Sequence, residues 1–370
     1  MIWCSKCVLP STRPNIIIDA DGVCNACKYH KSKNDTKDWS KKKSELKKIF
    51  EKVKKKSKNN YDCLVPVSGG KDSTWQVLEC LKYGLRVLAF TYKSPARSKL
   101  GTKNLENLIS LGVDHIDYTI DPKVEAYLTL KALRAKGATG IPMHMIIFNM
   151  SKRIAQNFNI PLVVWGENLA AEYGTIKLNE IKDTMDKKWI RNFGVLNNTN
   201  ANFWKDSFLT DKKMSAFKEP KESKKTQSIF LGEYIKWDPK KVAIIAKKNG
   251  FNYSTYSKIG IYNYADIDCD FISIHHYLKW FKFGFTRVFD NLSIEIRNER
   301  IERKKAISII KKMMRKIEPK SDIKKFCEYT NISNIEFNKI IEKFRNKSIW
   351  VKKNNKWKIK NFIIDNYNWQ

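Results

Sequence analysis

Two clusters of residues in this chain have the types and spacing to do chemistry. The first is Cys4-x-x-Cys7, a gap of sixteen residues, then Cys24-x-x-Cys27. Each pair puts two thiolates on a tight knuckle, and two knuckles complete a tetrahedral site for one zinc ion. Four thiolates close the coordination sphere, so such a zinc is structural and has no open position for a reaction. The second cluster is Ser68-Gly69-Gly70-Lys71-Asp72-Ser73. A glycine pair after an apolar strand and before a helix lets backbone N–H groups point into one concavity. The helix N-terminus adds partial positive charge, so the loop suits a phosphate chain. Lys71 adds a point charge for a leaving pyrophosphate. Ser68 and Ser73 can donate hydroxyl hydrogen bonds, and Asp72 is a helix cap or an indirect magnesium ligand.

These clusters need elements to hold them. Asn15–Ile18 reads as a short strand, and Asp21-Gly22 as the turn that returns the second knuckle to the first. Residues 31–60 are lysine-rich with apolar residues at Leu46, Ile49, Phe50 and Val53, an amphipathic helix with a charged outer face. From Tyr61 strands and helices alternate. Strands are expected at Asp62–Val67, Arg86–Tyr92, His115–Thr119, Leu162–Trp165 and Ser228–Ile235. Helices are expected at Thr74–Tyr83, around Thr102–Leu111 and at Ile146–Phe158. That order predicts a doubly wound parallel α/β sheet. Residues 177–226 are polar and weakly periodic and read as a long insertion or lid. Beyond Pro239 the chain reads as helical: Pro239–Asn249, Ser273–Phe283 and two segments within Ser293–Ile317. A capping box, Ser333-x-x-Glu336, opens the last helix, and Ile349–Ile364 alternates like a hairpin around Asn354-Asn355. The organisation is therefore a ribbon at 1–30, a basic linker helix at 31–60, an α/β domain at 61–238 and a mostly helical region at 239–370.

In such a sheet the loops at strand C-ends line the site. Glu167 follows the fourth strand and is placed to orient an incoming nucleophile or to hold magnesium with bound phosphates; Gly166 beside it joins the phosphate-facing set. Asn168 and His144, on connections at the same edge, are candidate substrate contacts. Lys279 and Lys282 are i, i+3 neighbours with Arg287 beyond, in an aromatic segment that could wall a pocket for an anionic substrate. His275-His276 reads as packing or capping. Cys63, Cys80, Cys269 and Cys327 lack the context of a catalytic nucleophile and read as buried or incidental thiols.

The chain has 370 residues, 42% of them hydrophobic, with only 15 Gly and 10 Pro, which excludes a disordered or collagen-like chain. Lys and Arg number 71 against 38 acids, a net charge of +33. That surface attracts polyanions, or reflects an AT-rich coding bias in Lys, Asn and Ile. No apolar stretch reaches the roughly 18 residues of a membrane span, and the N-terminus has no secretory pattern. A reducing, cytoplasmic setting is expected, with cysteines that bind metal or are buried.

The serine-led SGGKDS loop resembles the PP-loop of the ATP pyrophosphatases rather than the γ-phosphate loop G-x-x-x-x-G-K-[ST]. The opening Cys4-Ser-Lys-Cys7-Val-Leu-Pro10-Ser-Thr12-Arg13-Pro14 is similar to the N-acetyl sugar amidotransferase family, the WbpG/PseA type. So are Asp21–Cys27, Trp165–Asn168, Phe230–Tyr234 through Trp237-Asp238, Tyr277–Arg287 and Ile349–Trp357. The segment Ile141-Pro142-Met143-His144 departs from the family by lacking a cysteine. The resemblance implies an adenine nucleotide alpha hydrolase-like fold and use of ATP with Mg2+. It implies conversion of a sugar acetamido group to acetamidino in surface-glycan synthesis, with release of AMP and pyrophosphate. It also implies an acetamido sugar or nucleotide sugar as substrate, and ammonia from a separate glutaminase with a barrel-type, cyclase-like companion. A tRNA-modifying PP-loop enzyme is the alternative; nucleic acid is disfavoured because no further Cys-x-x-Cys follows Cys27.

Overall fold

In the computed structural model, the strands sort their residues by parity. Leu64, Leu88, Phe90, Val163, Trp165 and Phe230 face one apolar core. Cys63, Val65, Val87, Ala89, Leu162, Val164 and Ile229 face another. Only a sheet covered on both sides sorts side chains this way. The strands are β1 (Cys63–Pro66), β2 (Val87–Tyr92), β3 (Asp114–Tyr118), β4 (Leu162–Trp165) and β5 (Gln227–Phe230), in the order β3-β2-β1-β4-β5 and all parallel. The fifth strand is shorter than its pattern implied, because Leu231–Glu233 turns into a 3-10 helix. The structure describes residues 1–57, 61–168, 172, 174, 184–193, 195–221, 223, 225–314 and 317–363.

On one face lie α2 (Trp39–Lys56), α3 (Lys71–Lys82), α4 (Lys99–Ile109) and, after β5, the helix Pro239–Lys248. Helix α1 (Asn25–Thr36) leads out of the second cysteine knuckle into α2. Asp38 caps α2 by accepting from Ser40 N and Lys41 N, each at 3.0 Å. Leu46, Phe50 and Val53 of α2 are buried against the sheet, each contributing about 1.5–3 kcal/mol. The other face carries α5 (Pro122–Lys136) and α6 (Ile141–Asn157).

Helix α5 has no counterpart in the sequence reading. It is fully punctuated all the same: Asp121 accepts from Lys123 N at 2.9 Å, Pro122 opens the first turn, and Gly137 ends it with φ +55°. Helix α6 starts earlier than expected, again with proline in its first turn, so His144 lies within the helix and not ahead of it. Residues 177–226 correct the lid reading where they are described. Met185, Trp189, Ile190, Ala201, Trp204, Leu209, Met214 and Phe217 join the core beside α6. Helix α7 (Lys187–Phe193) and the bridge Thr184–Ile229 extend the β5 edge. Residues 177–183, 194, 222 and 224 lie outside the described residues.

With α8 naming Pro239–Lys248, the C-terminal elements are α9 (Ile272–Phe283), α10 (Arg287–Arg297), α11 (Arg303–Met313), α12 (Lys320–Thr330), α13 (Asn334–Glu342) and the hairpin β6–β7 (Trp350–Lys353, Lys356–Ile359). The two helices expected within 293–317 begin six residues earlier, at Arg287, because Gly284 ends α9 at φ +69° and Thr286 starts the next helix. Helix α12 was not anticipated. Ser333 caps α13 by accepting from Glu336 N at 3.0 Å, as the capping box implied. Asn354 and Asn355 both have positive φ, the signature of a two-residue type I′ turn. Residue 364, the expected end of the hairpin, is outside the described residues.

The N-terminal ribbon holds its turn through Gly22 (φ +73°), but the expected strand at 15–18 is reduced to one bridge, Ile18–Cys24. Trp3 and Val8 pack with Phe285, Phe289, Leu292 and Ile307, so the ribbon leans on the C-terminal helices. Among the described residues no helix is long and apolar enough to cross a membrane.

Candidate active site

The chain runs from β1 outward to β3, then returns to the other side of β1 for β4 and β5. The crevice of a doubly wound sheet opens at that reversal, outside the C-ends of β1 and β4. After β1 comes the Ser68–Ser73 loop. Gly69 sits at φ +82°, where a side chain is strained. A Cβ there would also lie 2.8 Å from Leu105 N, so α4 presses directly on the loop. The loop braces itself. Ser68 Oγ accepts from Gly70 N at 3.2 Å, Ser73 Oγ donates to Gly70 O at 2.9 Å, and Thr74 Oγ1 donates to the same carbonyl at 3.0 Å. The first-turn amides of α3 have no partners within the helix and are the natural phosphate donors.

Lys71 is buried, pairs with the Asp72 carboxylate, and lies 5.9 Å from the Trp237 ring centre. Trp237 Nε1 donates to Asp72 Oδ1 at 2.9 Å. Asp72 is therefore held from two sides, and its carboxylate pairs with the buried Lys71 side chain.

Gly166 and Glu167 follow β4. A Cβ on Gly166 would lie 2.3 Å from Gln76 Nε2, so the Gln76 side chain would have to move, and Gly232 N donates to Gly166 O at 3.1 Å, which ties the β5 turn to this corner. Burial pushes the Glu167 carboxyl up to about 7, with the Asp72 charge adding to the effect and Lys71 opposing it. A carboxyl poised there can take a proton near neutral pH. Asn168 is spent differently: its Nδ2 donates to Glu233 Oε1 at 3.2 Å and its Oδ1 accepts from Trp189 Nε1 at 3.0 Å. Lys37 pairs with Glu233, so Asn168 belongs to a buried network under α1 and α2.

A third carboxylate, not singled out in the sequence, joins the crevice. Residues 266–270 lie across the start of α4: Ser98 N donates to Asp268 O at 3.0 Å, Ser98 Oγ to Ile267 O at 2.6 Å, and Asp270 N to Ala96 O at 2.9 Å. Burial raises the pKa of the Asp268 carboxyl, while Ser68 and Lys71 beside it oppose that shift. The signal was the alternating Asp266, Asp268, Asp270, but no spacing rule assigns it to a loop so distant in sequence. Among the described residues, the four cysteines are the only His, Cys, Asp or Glu group close enough to cage a metal ion. A magnesium ion here would rest on phosphate oxygens plus one or two carboxylates, its usual habit. Glu167 and Asp268 are the carboxyls here that lie within electrostatic reach of Lys71 and that could be offered to such an ion.

The C-terminal candidates separate. Lys279 Nζ lies 3.7 Å from Asp290 Oδ2, and burial lowers its pKa to about 8. Arg287 Nε donates to Asp266 Oδ2 at 2.8 Å, and its charge reaches Glu167. Lys282 does something else: it donates to Lys136 O at 3.1 Å and Gly137 O at 3.4 Å, capping the end of α5. His144 Nδ1 is 2.7 Å from Gly140 O, and burial lowers its pKa, so it is a neutral ring with its Nδ1 side engaged. His144 is also within electrostatic reach of His275 on α9.

At the ribbon, the ligand atoms of Cys4, Cys7, Cys24 and Cys27 all lie within 4.8 Å of one another. Cys7 Sγ and Cys24 Sγ are 3.7 Å apart. Zinc–sulfur bonds near 2.3 Å place tetrahedral sulfurs about 3.8 Å apart, so the group fits. Cys4 Sγ accepts from Cys24 N at 3.3 Å and Cys7 N at 3.4 Å; the other thiols also hydrogen-bond to it and hold its pKa far down. Burial and the same neighbours drive Cys7 up. Four thiolates cannot coexist there without a cation.

Comparison with known proteins concerns mainly the C-terminal part. Residues 252–363 match the family model described as the C-terminal domain of WbpG-like LPS biosynthesis proteins. No curated protein matches the chain by sequence. Among solved structures, an NMN synthetase from Francisella tularensis is 14% identical, with 71% of this chain and 94% of that one covered and a TM-score of 0.35. An NH3-dependent NAD synthetase from Campylobacter jejuni subsp. jejuni is 16% identical, covering 51% of this chain and 100% of its own, with a TM-score of 0.31. A predicted subunit of a tRNA methyltransferase from Methanocaldococcus jannaschii is 15% identical, covering 61% and 90%, at 0.28. Superpositions this loose say nothing of chemistry. The region that carries Lys279 and Arg287 thus matches a WbpG-like C-terminal domain.

Proposed function

We propose that the chain is an ATP-dependent amidotransferase that turns a sugar acetamido group into an acetamidino group. The observation that carries this reading is the gathering of Lys71, Asp72, Glu167 and Asp268 around a self-braced phosphate loop at the sheet reversal. ATP binds with its phosphates on the α3 amides and Ser68, Ser73 and Lys71. The acetamido oxygen attacks the α-phosphorus and pyrophosphate leaves, its charge met by Lys71. Ammonia then attacks the activated carbon, AMP departs with the former acetamido oxygen, and an acetamidinium remains. Glu167 takes a proton from the incoming nitrogen. Magnesium, when bound, neutralises phosphate charge. His144 and Arg287 are the proposed sugar contacts. The four cysteines hold zinc as a structural centre.

The nitrogen source is proposed to be free ammonia or a separate glutaminase with a barrel-type companion. Cys63, Cys80 and Cys327 are buried, and the Cys269 thiol is pushed up to about 11 by burial, the wrong direction for a nucleophile. A cytoplasmic setting suits free thiols and ATP.

The test supplies an acetamido sugar labelled with 18O at the carbonyl, ATP and ammonium. Label should appear in AMP, with pyrophosphate as co-product and glutamine inert alone. ADP and orthophosphate, or unlabelled AMP, would reject the mechanism. The tRNA alternative rests on the +33 charge and predicts salt-dependent RNA binding with RNA-stimulated AMP release.

A further inference from the structure

The indole of Trp237 touches both members of the ion pair in the phosphate loop. Its Nε1 donates to Asp72 Oδ1 at 2.9 Å, while Asp72 Oδ2 accepts from Lys71. The Lys71 ammonium lies 5.9 Å from the centre of the same ring, within reach of its negative π face. An N–H edge thus meets the acid and a ring face meets the cation. Phenylalanine at this position would keep the second contact and lose the first.

The ring is itself clamped. Trp237 is 7% exposed and belongs to the core that holds Leu231, Tyr234 and Val242. A Cβ on Gly232 would lie 3.5 Å from Trp237 Cβ, so the residue is seated against the corner that carries Gly166 and Glu167. The next residue fixes the chain. Asp238 caps α8 by accepting from Lys240 N at 2.9 Å, and its other oxygen accepts from Arg300 Nη1 at 2.8 Å. Arg300 grips Glu295 of α10 through Nε at 2.6 Å and Nη2 at 2.7 Å. A path of polar contacts therefore runs from α10 through Arg300, Asp238 and Trp237 to the phosphate loop.

Lys71 cannot serve a pyrophosphate while its charge is tied up with Asp72. Binding of the phosphates makes the ammonium exchange one anionic oxygen for another, which leaves Asp72 without its cation in a half-buried place. A neutral donor that stays on Asp72 eases that exchange, because it stabilises the carboxylate without holding the lysine. The ring face keeps the ammonium close while it changes partners.

We propose that Trp237 is a positioning residue for Lys71: its N–H holds Asp72 so that the lysine can leave that carboxylate for the phosphates of ATP, and the Arg300–Asp238 pair keeps the indole in place. This role rests on reading Ser68–Ser73 as the ATP site and is independent of the acceptor.

The test is a double-mutant cycle on the full-length protein. Calorimetry with ATP and magnesium reads binding, and AMP formation with ammonium and an N-acetyl sugar reads turnover. Trp237→Phe should weaken ATP binding about tenfold. The KM for the sugar should stay within about twofold, which loss of the whole site would not allow. In an Asp72→Asn background there is no ion pair to loosen, so adding Trp237→Phe should change ATP affinity by less than about twofold. Equal losses in both backgrounds would mean that the indole acts by packing alone and overturn the proposal, as would unchanged ATP affinity in Trp237→Phe. Asp238→Asn leaves the tryptophan in place and keeps a residue able to cap α8, so it carries the test should Trp237→Phe fail to fold. It weakens the link to Arg300 and should cost a few-fold in ATP affinity, again only where Asp72 is present. No loss, or the same loss in the Asp72→Asn background, overturns the anchoring role. Coupling between Trp237 and Asp72 in ATP binding without acetamidino product would sink the amidotransferase reading and leave the positioning role standing. ATP that does not bind the parent protein would sink both.

Discussion

The phosphate loop and the Arg13–Lys279–Arg287 cluster both gather positive charge around buried acids, and they are built in opposite ways. The loop is six consecutive residues, and its donors are mostly backbone amides fixed by a glycine that admits no Cβ. The cluster is side chains from the ribbon and two C-terminal helices, aimed by tertiary packing. A backbone site recognises what every nucleotide shares. A side-chain site can be retuned one residue at a time.

The largest expected effect falls on the loop. Lys71→Ala should lower AMP formation roughly 10²-fold or more, because charge on the departing pyrophosphate loses its partner. A rate within tenfold of the parent would mean that ATP is held elsewhere. Next comes the ribbon. Elemental analysis should find about one zinc per chain, and Cys24→Ser should unfold the ribbon. A variant as stable as the parent, or protein that folds without zinc, would remove the structural centre.

A smaller effect, with a defined sign, concerns Glu167. Its folded pKa of about 7 lies above its ordinary 4.5. Below pH 4.5 both folded and unfolded chains hold the proton. Between the two values only the folded chain does, so stability falls as pH rises and levels off above 7. Glu167→Gln should therefore stabilise by on the order of 1–3 kcal/mol at pH 8, and by nothing near pH 4, in thermal melts. The same carboxyl predicts parent activity that rises with pH through about 7 and a Gln variant that does not follow it. The smallest effect belongs to Lys282. Lys282→Met uncaps α5 and should cost about 1 kcal/mol of stability with no change in anionic-sugar affinity; altered affinity would return Lys282 to the pocket.

The contrast between the two sites also explains what could be read from sequence. The sheet, its loop and the cysteine knuckles are local patterns, each carried by a few adjacent residues. Helix α5 escaped notice because it is wanted on more than one side: Val124 and Leu128 face the sheet, Leu133 faces α12 and α13, and Glu125 and Thr129 are buried as well. Burial on several faces erases the single apolar stripe that marks a surface helix. Residues 177–226 read as a long insertion or lid because Trp189, Trp204, Met214 and Phe217 anchor the stretch without any period. Lys279 and Lys282 looked equivalent at i, i+3, yet one found Asp290 and the other the carbonyl end of α5. Asp268, Asp266 and Arg13 were beyond reach for one shared reason: what each does is decided by a partner far away in sequence.

Gly101 gives the joint between the two halves a mechanical tolerance close to zero. A methyl group there would stand 2.6 Å from the Asp268 carbonyl oxygen, while Gly101 O is 3.0 Å from where a Cβ on Gly69 would be. Acid segment, helix and phosphate loop are stacked like shims with no clearance between them. A side chain at Gly101 would therefore drive the acid segment and the phosphate loop apart at once, so one small residue sets the spacing of both.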